Sequence, residues 1–250
     1  MLIASLAILA LLIRLLVVQP FAIPSGSMLP QLMIGDYVIV AKWPYGYSRT
    51  NLGLGTGRVR AKTPARGDAI VFRDWRKNED WVKRVIGLPG DTIEVHGGIV
   101  RLNGHDIIRT RIADFAMPVN ASNPCRVALE GGARRLASDD NEYFCAYRRY
   151  RETLPGGRSF EILDQGLGPA DDFASVRVPA GHLFVLGDNR DDSADSRVDP
   201  GQGGAGLVSE DQLVGRATLI LYSTDGAGEL LKPWTWLAGV RKDRIGRSVQ

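Results

Sequence analysis

The sequence predicts a mainly β fold, an antiparallel β-sheet core with a smaller inserted lobe, preceded by one apolar N-terminal helix. Three observations lead to it. The chain holds 29 glycines and 13 prolines among 250 residues, breaks too frequent for a helical bundle. Between the breaks stand short runs rich in Val, Ile and aromatic residues, the composition of strands. Residues 2–18 are apolar except for Ser5 and Arg14, a length of about 25 Å as a helix against a hydrocarbon core of about 30 Å.

That first run reads as a transmembrane anchor over residues 1–18, with residues 19–250 forming the folded domain. A removable secretory signal is the competing reading. No basic stretch leads the run, however, and Phe21-Ala22-Ile23-Pro24 is a poor small-residue cleavage site, so the anchor is expected to stay. Gly35 and Asp36 then form a turn into a β-branched strand ending near Lys42. Residues 45–60 read as a loop, with glycines at 53, 55 and 57 but without the helix start and Lys-Ser/Thr ending of a phosphate-binding loop.

Arg66-Gly67-Asp68 is a turn feeding a strand over residues 69–72, and residues 81–86 form a second strand closed by Gly87-Leu88-Pro89-Gly90-Asp91. Residues 92–95 and 99–102 read as a hairpin across His96-Gly97-Gly98. From 103 to 177 periodicity weakens and mixed charge dominates, which marks the inserted lobe. A turn and strand over residues 177–186 then deliver the acidic segment 187–197, and residues 213–222 make the last strand. Near the C-terminus Trp234, Trp236 and Arg241-Lys242-Asp243-Arg244 suit a membrane interface, where indoles and cations settle, or a packed C-terminal helix.

Composition excludes some functions. A formal charge of +3 is small for this length and does not suggest a nucleic-acid binder. The cluster Arg148-Arg149-Tyr150-Arg151 reads as a solvated face. An EF-hand pattern started at Asp191 finds Ser193 and Asp195, but lacks glycine at its sixth and glutamate at its twelfth position, so no metal is expected.

The chemistry centres on Ile23-Pro24-Ser25-Gly26-Ser27-Met28-Leu29-Pro30, where prolines on both flanks can hold a hydroxyl on a constrained backbone. A serine needs a base to take its proton. His96, His105 and His182 lack a triad setting and read as structural. Lys83 is the stronger base, because Trp81, Val82, Val85 and Ile86 can desolvate its ammonium, whose pKa must fall by about three units to work near neutrality. Arg84 alternates to the opposite strand face and reads as an ion-pair partner.

The segments 23–30, 66–72, 81–91 and 187–197, in that order, resemble the conserved boxes of bacterial type I signal peptidases, membrane-bound serine proteases with a Ser/Lys dyad. The resemblance implies an antiparallel catalytic core of the signal-peptidase type, with the variable lobe at 103–177. By it, Ser27 is the acylated nucleophile, Lys83 the base, and Ser25 Oγ with the Ser27 N–H the oxyanion hole. Ser193 orients the lysine amine, while Asp195 pairs with Arg84 or Arg197.

The same resemblance implies no metal or organic cofactor and a monomer in the inner membrane. It would be single-pass, with its catalytic domain on the periplasmic side, where it meets the lipid bilayer and the signal peptides of exported preproteins. Small residues are expected at the first and third positions before the cut. Phe21, Ile23, Leu32 and Val82 are candidate pocket walls, and an edge strand through Asp80, Trp81 and Val82 could pair with extended substrate. Arg14 draws its own end of the anchor toward the cytoplasm, against the implied topology, although it can snorkel to either headgroup layer.

In such a compartment Cys125 and Cys145 can pair, closing a loop of about twenty residues worth about 3 kcal/mol; free buried thiols are the alternative. This chain departs from the family after the last box, where residues 198–206 are glycine-rich instead of an aromatic-glycine step. Two rivals stand beside this reading. Self-cleaving repressors use the same dyad but carry a DNA-binding domain where this chain has an apolar segment, and an inactive binding or scaffold domain could keep the fold alone.

Overall fold

A computed structural model describes residues 5–6, 12–14, 16–119, 125, 134–137, 143–225 and 239–249. Helical backbone occurs at 5–6, 12–14 and 16, and among the described residues no helix is long and apolar enough to cross a membrane. Trp234 and Trp236 lie outside the described residues, as does much of the expected anchor.

Strands follow in chain order: β1 (Val18–Ala22), β2 (Asp36–Ala41), β3 (Tyr47–Ser48), β4 (Arg58–Val59), β5 (Ala69–Asp74) and β6 (Glu79–Gly87). Next come the hairpin β7 (Thr92–His96) and β8 (Ile99–Leu102), then β9 (His105–Asp106) and β10 (Ile108–Pro118). They are followed by β11 (Arg134–Ala137), β12 (Tyr143–Thr153), β13 (Ser159–Leu163), β14 (Phe173–Arg177), β15 (His182–Leu186), β16 (Val208–Ser209) and β17 (Leu213–Ser223). A seven-stranded sheet has the order β1-β2-β17-β5-β6-β15-β16, and each of its pairings is antiparallel.

β1 has no counterpart among the sequence expectations, because it continues the apolar run without a break and contains Pro20. Proline is tolerated there because β1 is an edge, paired on one side with β2 in a register that sets Pro20 opposite Ile39. Residues 45–60, read as loop, follow a short 3-10 turn at Trp43–Tyr45 and contain the β3–β4 pair. Arg58 holds that segment by donating to the carbonyls of Gly46, Glu210 and Leu213.

Among the described residues, 103–177 are mainly strands. A second sheet of four runs β10-β12-β11, with β13 also on β12, and a third runs β14-β7-β8-β9. Alternation was hard to read here because β10 is largely exposed and its register slips between Ile112 and Phe115. Arg149 and Arg151, from the basic cluster on β12, both face Glu161. Cys125 and Cys145 form a disulfide.

The core between these sheets is apolar in contiguous clusters. Ile86, Ile93, Leu102, Ile162 and Phe184 join the second and third sheets to the first. Ile23, Met28, Leu32, Val38, Val71 and Val82 form another cluster, and two of its members, Ile23 and Met28, flank the Ser25–Ser27 segment in the chain. The lobe is therefore packed onto the strands that carry the candidate site.

Candidate active site

Ser27 leaves the edge strand β1 five residues after its end, in a stretch of turns anchored by Met28 and Leu32, both fully buried. The Leu32 N–H donates to the Met28 carbonyl at 2.8 Å, so the backbone after the serine curls back on itself. Lys83 enters from β6, where its Cα lies opposite Ile70 of β5. Its side chain is 5% exposed, and its Nζ stands 2.6 Å from Ser27 Oγ. Ser25 is exposed, with its Oγ 3.4 Å from that of Ser27.

Burial sets the electrostatics. Removal from water depresses the Lys83 amine to about 8, while the carboxylates of Asp195, Asp188 and Asp192 pull it back up. About one part in ten of the amine is thus neutral at pH 7, against less than about one part in a thousand for an ordinary lysine. Burial alone would raise the Asp195 carboxyl, but Arg197 and two backbone N–H donors, from Gly187 and Arg197, override it and hold the group below its usual range.

The acidic segment is a frame for this pair. Asp195 pairs with Arg197 at 2.9 Å. Arg84 is not its partner: the guanidinium makes a two-pronged contact with Asp188, at 2.7 and 2.6 Å, and lies over the Phe160 ring. Arg84 and Asp188 are 0% and 1% exposed, and the pair ties β6 to the start of the acidic segment. A second buried pair, Arg190 with Glu152, ties that segment to β12 of the lobe. Sequence reasoning missed both Asp188 and Glu152, whose partners lie 104 and 38 residues away.

Ser193 was expected to bond the lysine amine. In the structure its Oγ is buried and has no hydrogen-bond partner among the described residues, while the amine is directed to Ser27. It nonetheless belongs to the site, as a methyl on Gly187 would meet Ser193 Oγ at 2.2 Å and the Ser27 carbonyl oxygen at 2.5 Å. The glycine-rich departure at 198–206 is stapled to the same frame: Asp195 O accepts from the N–H groups of Val198 and Ala205, and Ser196 Oγ donates to Gly206 O.

The expected pocket residues divide. Ile23, Leu32 and Val82 are closed into one apolar cluster, so they are floor and not open wall; Leu32 is 0% exposed. Phe21 packs on that cluster and stays partly exposed, as does Trp81 beside Phe72. Asp80 is held by Arg73 at 3.0 Å. β15 pairs with β6 at Arg84, Val85 and Gly87, and among the described residues, 79–83 have β5 alone as ladder partner, with no strand on their other edge. The histidines sit apart, His182 against Ala180 O and His96 against Asp172.

Comparison with known proteins bears on this arrangement. The family model described as Signal peptidase, peptidase S26 matches residues 1–222. Signal peptidase I of Rickettsia akari (strain Hartford) is 34% identical over 96% of this chain and 88% of its own length. The corresponding protein of Rickettsia prowazekii (strain Madrid E) is 32% identical, covering 96% of this chain and 89% of its own. A crystal structure of a signal peptidase I from Enterococcus faecalis V583 is 26% identical, covering 63% of this chain and 98% of that one, at a TM-score of 0.32. With the family model and the curated relatives agreeing over nearly the whole sequence, the chain belongs to the signal peptidase family, peptidase S26, and is a hydrolase of the serine endopeptidase class.

Proposed function

We propose that this chain removes N-terminal signal peptides from exported preproteins, cutting after small residues at an Ala-x-Ala type site through an acyl-enzyme on Ser27, with Lys83 as base. The observation that carries it is the 2.6 Å approach of a nearly water-free lysine amine to the serine hydroxyl. As Ser27 Oγ attacks the scissile carbonyl, its proton passes to the neutral amine, which then hands it to the leaving amide nitrogen. Water, deprotonated by the same amine, next attacks the ester and frees Ser27. Ser25 Oγ and the Ser27 N–H face the developing oxyanion, a role worth about 3 to 4 kcal/mol per donor in other enzymes. Ser193 settles the amine once Ser27 is acylated and no longer accepts from it.

Substrate lies extended along the open edge of residues 79–83, over the floor of Ile23, Leu32 and Val82, with Phe21 and Trp81 as flanking walls. A closed floor admits small side chains and excludes large ones. Residues 1–18 anchor the chain in the inner membrane, single-pass, with the catalytic domain on the periplasmic side. In support, Lys42 N donates to Val17 O and Tyr47 Oη to Leu16 O, which fastens the folded domain to the end of the apolar run close to Ser27.

The test is cleavage of a membrane-inserted precursor carrying an Ala-x-Ala site by the wild type, Ser27→Ala and Lys83→Ala. Processing by the wild type alone is expected; equal processing by all three overturns the reading.

A further inference from the structure

Asn189 occupies a position that the chemistry above does not use. It is 2% exposed and lies between two stretches of backbone. On one side its N–H donates to Ser27 O at 3.0 Å and its Nδ2 donates to Gly26 O at 3.1 Å. On the other it forms a parallel bridge with Leu163 at the end of β13, flanked by Leu163 N to Asp188 O at 2.8 Å and Arg190 N to Leu163 O at 2.9 Å. Its Oδ1 accepts from Nε2 of Gln165, a lobe residue itself 2% exposed.

A trans peptide is planar, with its carbonyl and its N–H pointing in opposite directions. The Gly26 carbonyl and the Ser27 N–H belong to one such unit. The Gly26 oxygen, held by Asn189 Nδ2 and by the Leu29 N–H at 3.1 Å each, therefore fixes the Ser27 N–H pointing the other way, away from Asn189. Among the described residues that N–H has no hydrogen-bond acceptor, so it is free to meet an oxyanion.

An asparagine amide can turn over, and only one of its two orientations donates to Gly26. Gln165 selects it by supplying a donor to the opposite corner. We infer that Asn189 is a positioning residue which aims the Ser27 N–H at the reacting carbonyl oxygen, and that Gln165 of the inserted lobe locks the Asn189 amide in the orientation that does so. The lobe is thereby part of the catalytic frame. This inference rests on Ser27 being the nucleophile.

The experiment uses the full chain with Asn189→Leu, which keeps the shape but removes the amide's hydrogen bonds, and Gln165→Met, which removes the lock but leaves Asn189. Expected is a fall in kcat of about 30- to 300-fold for the first and about 3- to 30-fold for the second, with KM within about twofold. The pH at which kcat/KM rises should stay as in the wild type, because the Lys83–Ser27 contact is untouched. A peptide boronate is the deciding probe: Ser27 Oγ adds to boron, its proton passes to Lys83, and a tetrahedral anion forms. Its affinity should drop by the same factor as kcat/KM, while non-covalent binding of the cleaved peptide stays unchanged.

Wild-type kcat/KM in folded Asn189→Leu, or equal weakening of boronate and cleaved peptide, overturns the inference. If Asn189→Leu does not fold, Gln165→Met decides by the same two readings. Failure of the functional reading looks different, since Ser27→Ala would then cleave as well as the wild type.

Discussion

Gly187 faces Ser27 so closely that a methyl on its Cα would sit 2.5 Å from the Ser27 carbonyl oxygen. Real Cβ atoms do not approach oxygen that far, so Gly187→Ala must push the serine segment away from Lys83 or displace Ser193. A shift of about 1 Å at a reacting group is enough to reduce turnover about a hundredfold. We expect that loss in kcat, with a stability decrease of about 1 to 3 kcal/mol by denaturant titration.

The depressed amine fixes a pH dependence. With Lys83 half neutral at about 8, about one part in a hundred is neutral at pH 6, so kcat/KM at pH 6 should be about fiftyfold below its value at pH 8. A profile already flat from pH 6 upward would mean that Lys83 is not the base.

The same shift weakens the fold. Above the ordinary lysine value of 10.5 the side chain is neutral whether the chain is folded or unfolded. As pH falls, the unfolded lysine takes a proton first, and the folded state loses stability until the pH drops below about 8, where the full penalty is present. Lys83→Met should therefore be inactive yet about 2 to 3 kcal/mol more stable than the wild type at pH 7, with the difference vanishing above about pH 11. Equal urea midpoints at both pH values would contradict this.

Arg84 and Asp188 are a buried pair whose partners cannot be removed singly. Arg84→Met leaves a carboxylate at 1% exposure without its counter-ion and should lower stability by about 3 to 5 kcal/mol. Arg84→Met with Asp188→Leu should recover much of that loss, since an apolar pair of similar size leaves no stranded charge.

Ser27, Lys83 and the acidic segment, which the structure brings together, were legible as a candidate site because each lies in a short contiguous stretch of chemistry-bearing residue types. Asp195 and Arg197, two residues apart, fall in that class. Arg84 with Asp188 and Arg190 with Glu152 do not: many arginines and carboxylates compete, and only the crossing of β6 and β12 with the acidic segment selects the partners. Strands such as β2, β5, β7 and β8 announced themselves through β-branched runs and turn glycines, with Gly97 and Gly98 both at positive φ between β7 and β8. β1 stayed hidden because an edge strand with a proline looks like the tail of an apolar helix. Leu32 and Val82 were readable as apolar and near the site, but sequence could not tell an open wall from a closed floor.

The central claim is that the Lys83 amine beside Ser27 gives up its proton far below the ordinary lysine value, and an NMR titration of lysine Cε resonances tests it most directly, with Lys83 assigned by its loss in Lys83→Arg. A midpoint near 8 is expected, coinciding with the rise of kcat/KM. A Lys83 resonance titrating at the ordinary 10.5, in enzyme that is fully active at neutral pH, would contradict the account.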